Sequence, residues 1–288
     1  MITGTTKLLG VIGYPVEHSL SPLMHNAALT KMNLDFVYLP LPIAPENLAT
    51  AIAGLACIGL QGFNVTIPHK QTIIPMLSEI SDLARDVGAV NTVVRRKDGW
   101  WGTNTDVAGF ISPLQTTHQG DWSDARAIIL GYGGAARAVV VGCIQLGIKQ
   151  IHVVGRNLSK LTDFLHSWQN LPITVNLQVH SWDDLSRILP QGDLLVNTTP
   201  VGMYPHIDAS PLSAAEMMLL RENTIVYDLI YTPNPTKFLS LAQARGMVAI
   251  DGLSMLIQQG VAALKIWLER DDIPVEVMGE VLRQHLFA

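Results

Sequence analysis

Cysteine is scarce in this chain of 288 residues, which contains only Cys57 and Cys143. Each of the two lies in an apolar stretch with helical spacing, so we expect two buried thiols rather than a disulfide or a pair of metal ligands. Thiols that stay reduced are typical of proteins in the cytoplasm. We therefore predict a cytoplasmic location.

Charge is also in short supply, since only 15% of the residues are charged and the formal net charge is -5. Binding of a nucleic acid requires clustered Lys and Arg, so no nucleic-acid partner is expected, although a local basic spot could hold one small phosphorylated ligand. The apolar runs fall short of the roughly 18 residues that a spanning helix needs. Residues 1–11 lack the charged start and sustained apolar segment of an export signal. We expect no membrane partner.

Signatures of metal sites and hydrolases are missing as well. His18, His25 and His69 form no metal-binding pattern, and neither H-E-x-x-H nor C-x-x-C occurs in the chain. Glu17, His18 and Ser19 are neighbours in sequence and cannot align as a catalytic triad, and no G-x-S-x-G motif is found. The sequence therefore predicts no bound metal.

What the sequence does contain is an alternation of strand-like runs with amphipathic helical stretches, which predicts an α/β protein with mainly parallel sheets. Helices are expected from Pro22 to Met32, with Ser21 as the cap, and from Pro45 to Ile58. Asp98-Gly99 is a hairpin signal. The predicted strands of this first part are Leu8 to Ile12, Phe36 to Leu39, Gly62 to Val65, Val90 to Arg95 and Trp100 to Gly102.

A polar segment from Thr116 to Asp124 precedes a second series of strands. Their number is about that of a dinucleotide-binding sheet, with a helix from Ala135 to Leu146 after the first of them. These strands are Arg126 to Leu130, Gln150 to Val154, Thr174 to Val179, Asp193 to Asn197, Thr224 to Asp228 and Val248 to Ile250. Two helices, from Ser254 to Glu269 and from Pro274 to Leu286, end the chain and have no sheet of their own to cover, so we expect them to return to the first domain.

The chain is thus predicted to have a first α/β domain for the substrate in residues 1–106 and a Rossmann domain in residues 107–252. The terminal helices in residues 253–288 are predicted to pack on the first domain.

A glycine-rich loop joins the first strand of the second series to its helix. Its residues Gly131, Tyr132, Gly133, Gly134 and Ala135 follow a strand and open a helix, which is the context that a dinucleotide-binding fingerprint requires. Glycines let the backbone approach a pyrophosphate, which the helix N-terminus attracts. A glycine turn without a ligand is the alternative, but strand, loop, helix and next strand in order favour the nucleotide.

The second strand of this series ends in Gly155-Arg156-Asn157-Leu158-Ser159-Lys160, where an NAD enzyme would present Asp or Glu to the ribose. Arg156 and Lys160 could instead hold a 2′-phosphate, so NADP is the expected cofactor. The alternative is that both are solvated surface cations.

Three polar clusters lie next to strand-like segments of the first domain and predict a site for a small hydroxylated ligand. Ser19 and Ser21 also face one side of an extended segment, as a carboxylate acceptor would need, although Ser21 could be only a helix cap. The three clusters are Asn64-Val65-Thr66-Ile67-Pro68-His69-Lys70, Gly88-Ala89-Val90-Asn91-Thr92 and Gly102-Thr103-Asn104-Thr105-Asp106.

With these motifs in place, the chain resembles the shikimate dehydrogenases nearly from end to end. Besides the segments above, the resemblance is carried by Ser19-Leu20-Ser21-Pro22, Asn197-Thr198-Thr199-Pro200-Val201-Gly202-Met203, Asp228-Leu229-Ile230-Tyr231 and Asp251-Gly252-Leu253-Ser254-Met255-Leu256 followed by Gln259. It implies NADP-dependent reduction of 3-dehydroshikimate to shikimate on the route to chorismate and aromatic amino acids.

The resemblance also implies residue roles. Lys70 and Asp106 would flank the reacting oxygen, and the carboxylate and hydroxyls of the substrate would be held by Ser19, Ser21, Asn64, Thr66, Asn91, Tyr231 and Gln259. The cofactor would be lined by Gly131, Tyr132, Gly133, Gly134, Ala135, Gly155, Arg156, Asn157, Lys160, Thr198, Leu229 and Gly252, with Met255 near the nicotinamide and Asp82 a peripheral contact. The chain departs from the family at Gly155-Arg156-Asn157, where Asn-Arg-Thr is usual, and at Tyr132, where alanine is commoner.

Hydride transfer to a ketone requires a proton for the oxygen, and the protein must supply it. Lys70 could polarise the ketone and protonate the alkoxide while Asp106 tunes the lysine; alternatively, Asp106 transfers the proton and Lys70 acts electrostatically. Asp106 could also cap the helix that follows it. An NAD-dependent quinate/shikimate dehydrogenase and a noncatalytic NADP-binding regulator are the rival functions, and either a monomer or a homodimer is compatible with the sequence.

Overall fold

The protein is described by a computed structural model that covers residues 2–169 and 176–287. The chain divides into two compact units. Unit 1 comprises the described residues up to Gly109 and from Leu256 onward, and unit 2 runs from Phe110 to Met255. Each unit is built around its own six-stranded sheet.

Unit 1 begins with an alternation of strands and helices, as its hydrophobic pattern predicts. Its sheet has the order β2-β1-β3-β5-β6-β4, in which β1 runs parallel to β2 and β3 whereas β5 is antiparallel to β3 and β6. The elements are β1 (Lys7–Gly13), α1 (Ser21–Lys31), β2 (Phe36–Pro42), α2 (Leu48–Cys57), β3 (Gly62–Val65), β4 (Glu79–Ile80), α3 (Asp82–Val87), β5 (Thr92–Arg96), β6 (Gly99–Thr103) and α4 (Asp106–Thr117).

Unit 2 contains a fully parallel sheet with the order β9-β8-β7-β10-β11-β12. The elements are β7 (Arg126–Leu130), α5 (Gly134–Gln145), β8 (Gln150–Gly155), α6 (Leu158–His166), β9 (Asn176–Ser181), α7 (Leu185–Ile188), β10 (Leu194–Asn197), α8 (Ala214–Met217), β11 (Ile225–Asp228), α9 (Lys237–Gln243) and β12 (Ala249–Ile250). This is the strand order of a Rossmann sheet. The strands are added in one direction from β7 to β9 and in the opposite direction from β10 to β12, so the order reverses between β7 and β10. The ends of those two strands are where such folds bind ligands.

The last two helices, α10 (Gly252–Leu268) and α11 (Val275–Phe287), bring the chain back to unit 1. Trp267 in α10 donates from its indole Nε1 to the carbonyl oxygen of Val93 in β5, over 2.9 Å. Helix α11 packs against α1. The predicted fold class, including the return of the terminal helices, is therefore confirmed.

Three local predictions were wrong. Ser21 is the first residue of α1 rather than its cap, and its side chain makes no capping hydrogen bond. Cys57 is exposed at the end of α2, whereas Cys143 is buried as expected. Strand β5 begins at Thr92, two residues after the predicted start at Val90, because Val90 instead donates its N–H to the carbonyl oxygen of Lys70 over 2.7 Å.

Other differences are small. The strand β4 and the helices α3, α6, α7, α8 and α9 were not predicted individually, and the remaining predicted boundaries shift by a few residues. The predicted strand Thr174 to Val179 appears as β9, although Thr174 and Val175 lie outside the described residues. In the part of the chain that the structure describes, no helix is long and apolar enough to cross a membrane.

Candidate active site

Three strand ends meet at one edge of the sheet in unit 1, and they bring the polar clusters together. The register pairs Asn64 of β3 with Thr92 of β5, and Thr92 in turn with Thr103 of β6. Because β5 is antiparallel to its two neighbours, its start lies beside the ends of β3 and β6. The segments that follow β3 and β6 and precede β5 therefore converge on this edge.

Lys70 and Asp106 form an ion pair at the centre of this cluster. The Lys70 Nζ donates to Asp106 Oδ2 over 2.5 Å, and the two side chains are 16% and 7% exposed. Asn91 Nδ2 donates to the other oxygen, Asp106 Oδ1, over 2.8 Å. An ammonium has further N–H donors beyond the one used here, so Lys70 can contact a ligand oxygen without releasing Asp106.

A chain of buried hydrogen bonds extends from this pair into the core of unit 1. Asn91 Oδ1 accepts from the backbone N–H of Thr105 over 2.7 Å and from the Thr92 hydroxyl over 3.0 Å. Asn64 Nδ2 donates to Thr92 Oγ1 over 3.1 Å. A buried amide whose donors and acceptors are satisfied has one favoured orientation, so this network holds the predicted site residues in place.

Tyr38 ends this network and was not identified from the sequence. Its hydroxyl donates to Asn64 Oδ1 over 2.6 Å, and its side chain is 1% exposed. Burial raises the pKa of Tyr38 well above its ordinary value, and a hydrogen bond with the Ser21 side chain opposes this only in part. The buried Tyr38 hydroxyl thus links two predicted substrate residues, Ser21 and Asn64, by hydrogen bonds.

The cap of α4 is Asn104, and the prediction that Asp106 caps this helix is wrong. Asn104 Oδ1 accepts from the backbone N–H groups of Asp106 and Val107, over 3.0 and 3.4 Å. The helix starts at Asp106 itself, so its carboxylate takes no part in capping. Asn104 therefore leaves both Asp106 oxygens for Lys70 and Asn91.

The remaining predicted substrate residues fall into two groups. In unit 1, Ser19 Oγ accepts from the Ser21 N–H over 3.3 Å, Thr66 directly follows β3, and Gln259 in α10 is 8% exposed. Tyr231 belongs to unit 2, where it lies three residues after the end of β11. The structure therefore places every predicted substrate residue except Tyr231 in unit 1.

The glycine loop of unit 2 has the geometry of a phosphate-binding turn. Gly131 has a φ of 107°, and a Cβ there would lie 2.6 Å from Thr198 Oγ1, so only glycine fits. Thr198 itself is held by donating its hydroxyl to the Leu130 carbonyl oxygen over 2.7 Å. Gly133 precedes α5, and a Cβ at Gly133 would meet nothing within 4 Å. The first turn of α5, which includes Ala135, is therefore accessible to an anionic group.

Exposed cations follow the end of the adjacent strand β8. Arg156 and Lys160 are both exposed, and no acidic side chain lies between them in sequence. Asn157 caps α6 by accepting from the Lys160 N–H over 3.0 Å, so its side-chain oxygen is already used. Two cations and a bare glycine turn are a donor set that fits a phosphorylated dinucleotide.

A buried carboxylate, Asp228, lies at the end of β11 in the sheet of unit 2. Asp228 accepts from Asn197 Nδ2 over 2.9 Å, from the Thr236 hydroxyl over 2.7 Å and from the Ile230 N–H over 3.1 Å. Burial raises the pKa of Asp228 to about 6, against these hydrogen bonds. Neither Asn197 nor Asp228 was predicted as a site residue, although an acid that ends an apolar strand was a readable signal.

Two of the predicted cofactor residues, Leu229 and Gly252, lie against each other next to this carboxylate. Leu229 follows Asp228 directly, and a Cβ on Gly252 would lie 2.1 Å from the Leu229 carbonyl oxygen. Met255 is 8% exposed in α10. The Asp228 hydrogen bonds therefore fix the backbone that carries Leu229 against Gly252.

Asp82 is the predicted cofactor residue that lies in unit 1. It is the first residue of α3, its side chain is 93% exposed, and it forms an ion pair with Arg85.

Within residues 2–169 and 176–287, no group of three or more His, Cys, Asp or Glu side chains could hold a metal ion.

Two family models match the chain. The shikimate dehydrogenase substrate binding domain matches residues 11–93, and the shikimate 5′-dehydrogenase C-terminal domain matches residues 252–283. A shikimate dehydrogenase (NADP(+)) from Nostoc sp. is 66% identical over 99% of both chains. The crystal structure of shikimate dehydrogenase from Aquifex aeolicus has a TM-score of 0.88 at 34% identity, over 98% of this chain and 100% of that one.

A second solved structure shows ligands. Shikimate 5-dehydrogenase from Thermus thermophilus, in complex with NADP(H) and shikimate, has a TM-score of 0.84 at 32% identity and covers 97% of this chain and 99% of its own. A Rossmann unit with a glycine loop, joined to an α/β unit that carries a buried lysine–carboxylate pair, defines the class of two-domain dehydrogenases. Within that class, the chain belongs to the shikimate dehydrogenase family.

A buried histidine behind the polar cluster makes the stability of unit 1 depend on pH. The His25 ring stacks on Tyr38 with ring centres 4.2 Å apart, and its Nδ1 is 2.8 Å from the Ser21 carbonyl oxygen. A carbonyl only accepts, so Nδ1 carries the proton. Burial lowers the pKa of His25 from 6.5 to about 4, and the carbonyls of Ser21 and Gly260 offset only part of this effect.

The free energy of unfolding should therefore fall as the solution is acidified from about pH 6.5 to pH 4. In this interval the unfolded chain protonates His25 and the folded chain does not, so each pH unit costs at most about 1.4 kcal/mol. Urea unfolding of the wild type and of His25→Phe, at several pH values from 7.5 to 4.5, measures this contribution. The variant keeps a ring against Tyr38 and loses the titration, and pH profiles that stay parallel would contradict the prediction.

Proposed function

We propose that this protein is a shikimate dehydrogenase, which catalyses the reversible NADPH-dependent reduction of 3-dehydroshikimate to shikimate in the chorismate and aromatic amino acid pathway. The observation that carries this proposal is the buried pair of Lys70 and Asp106, held by Asn91 at the strand ends of unit 1. The similarity to shikimate dehydrogenases over nearly the whole chain supports it.

The polar residues of unit 1 supply the groups that shikimate needs. Ser19 and Ser21 would bind the carboxylate, since hydroxyl donors at this spacing suit a planar anion. Asn64, Thr66, Asn91 and Gln259 would bind the ring hydroxyls, with Tyr231 of unit 2 as a further contact. Amide and hydroxyl groups fixed by the surrounding network discriminate strongly against a ligand that lacks the matching hydroxyl, because they would be left unpaired.

Lys70 would act at the reacting oxygen. Its ammonium can donate a hydrogen bond to the ketone and a proton to the oxygen as negative charge develops there. Asp106 holds the ammonium within 2.5 Å of its own carboxylate and can contact the same hydroxyl.

The reduced cofactor NADPH, when bound, would supply the hydride for this reduction. Unit 2 would hold its pyrophosphate at the start of α5, and Arg156 and Lys160 would hold the 2′-phosphate as exposed cations. Asn157, Thr198, Leu229, Gly252 and Met255 would complete this site, and Asp82 would be a peripheral contact. A cytoplasmic location, a monomer or homodimer and the lack of a nucleic-acid partner stay predictions.

Initial rates with shikimate and with quinate, each measured against NADP and NAD at matched concentrations, test the proposed function. We expect shikimate with NADP to give the highest kcat/KM of the four combinations. A preference for quinate with NAD would instead identify a quinate/shikimate dehydrogenase. The lack of any shikimate-dependent reduction of NADP would favour a noncatalytic regulator.

Replacement of Lys70 by alanine should lower kcat by roughly 100- to 10,000-fold, because the oxygen loses its proton donor. Binding of shikimate should weaken less than catalysis, and calorimetry measures this separately. Lys265→Ala is a matched control, since Lys265 is an exposed lysine in the same unit that also pairs with a carboxylate, Asp271. A Lys70 variant with near-normal kcat would contradict the assigned role.

Arg156→Ala should raise the KM for NADP by roughly 10- to 100-fold and change the KM for NAD little, since a charge-assisted contact with the 2′-phosphate is lost. The effect should shrink with added salt. Lys160→Ala should have a smaller effect, because a flexible ammonium loses more entropy when it is ordered. Equal losses with both cofactors would show that Arg156 supports the fold rather than the choice of NADP.

A further inference from the structure

The side chain of Tyr132 lies directly on the backbone of Gly155. A Cβ built on Gly155 would be 2.5 Å from both Cδ1 and Cε1 of the Tyr132 ring and 3.2 Å from Leu161 Cδ2. Non-bonded carbon atoms prefer about 3.5 Å or more, so no side chain at position 155 can coexist with the ring where it stands. The ring occupies the volume that any other residue at this position would need.

The backbone conformation does not explain the glycine at position 155. Gly155 is absent from the glycines with positive φ in the described chain, and it continues the pairing of β8 with β9 as an ordinary strand residue. It is also buried, because the tyrosine covers it. Packing against Tyr132 is therefore the reason that glycine is needed here.

The position of this contact links it to the nucleotide. Tyr132 belongs to the turn after β7, Gly155 ends β8, and the two strands pair directly through Leu130 and Val154. In a Rossmann sheet the pyrophosphate is bound after the first strand and the adenosine ribose at the end of the second. Tyr132 thus reaches from the turn after the first strand to the end of the second, and the residue is only partly buried.

We propose that Tyr132 and Gly155 act as a coupled pair that builds an aromatic wall for the adenosine end of NADP. The proposal rests on the proposed function, because it takes NADP as the ligand. The wall would bind the adenine or its ribose through flat apolar contact, which aromatic rings offer to any base. Arg156 and Lys160 remain to bind the 2′-phosphate.

This pairing accounts for two of the departures from the family in the dinucleotide unit, those at Tyr132 and Gly155, and leaves Asn157 unexplained. Asparagine in place of Gly155 would collide with the ring, and alanine in place of Tyr132 would leave the bare backbone of Gly155 uncovered. Either change alone breaks the wall, but Gly155→Asn meets no ring once Tyr132 has been replaced by alanine. The effect of a substitution at Gly155 is therefore expected to depend on the residue at position 132.

A double-mutant cycle tests the coupling with a readout that needs no catalysis. The dissociation constant of 2′,5′-ADP, which has the adenosine end and no nicotinamide, is measured by calorimetry for the wild type, Gly155→Asn, Tyr132→Ala and the double variant. Gly155→Asn should weaken binding by roughly 10-fold or more in the wild type and by less than about 3-fold in the Tyr132→Ala background. Tyr132→Ala alone should weaken it by roughly 5- to 50-fold, the value of one stacking contact.

Three further measurements make the result decisive. Gly54→Asn controls for the substitution itself, because a Cβ on Gly54 would meet nothing within 4 Å. Tyr132→Phe keeps the ring and should retain most of the affinity that Tyr132→Ala loses. Shikimate binding and thermal unfolding report whether each variant is folded, and Gly155→Ala replaces Gly155→Asn in the cycle if the larger side chain prevents folding.

Equal effects of Gly155→Asn in both backgrounds would overturn the coupling, and unchanged affinity in Tyr132→Ala would overturn the aromatic wall. Both results leave the proposed function standing, because the wild type would still bind 2′,5′-ADP and reduce NADP with shikimate. A wild type that binds neither 2′,5′-ADP nor NADP would overturn the cofactor assignment and this proposal together.

Discussion

The contact between Lys70 and Asp106 is the interaction on which the organisation of unit 1 depends. A carboxylate that is 7% exposed needs partners for both of its oxygens, and it finds them in Lys70 and Asn91. Asn91 is held by Thr92 and Thr105, and Thr92 is held by Asn64, which in turn is held by Tyr38. The register of β3, β5 and β6 thus fixes the position of the Lys70 ammonium at the ends of these strands, where it can contact a ligand.

The candidate cofactor site of unit 2 depends more on backbone conformation than on side chains. The strand order of its sheet reverses between β7 and β10, and Thr198, which follows β10, donates its hydroxyl to the carbonyl oxygen of Leu130 at the end of β7. Glycine is required at Gly131 for conformation and at Gly155 for space. The buried Asp228 shows the opposite strategy, in which a carboxylate with a pKa raised to about 6 binds three donors to fix the neighbouring loop.

Local sequence signals predicted much of the fold and of the candidate site. The predictions that failed concern helix caps and contacts between distant strands. Hydrophobic period and glycine placement correctly predicted the two mainly parallel sheets and the loop at Gly131. Ser21 and Asp106 were both expected to be caps because their residue types suit that role, but Asn104 caps α4 and α1 begins without a side-chain cap. Tyr38 and β4 were missed because their roles arise only when strands from distant parts of the chain come into register.

The hydrogen bond from Trp267 to Val93 has a consequence for biosynthesis. It joins a helix near the end of the chain to a strand made from the first hundred residues, and α11 packs against α1 in the same unit. Unit 2 is continuous in sequence and can fold as soon as the ribosome has released it. Unit 1 has to wait until α10 and α11 have been synthesised, so the apolar surface that these helices cover stays unprotected while unit 2 is made.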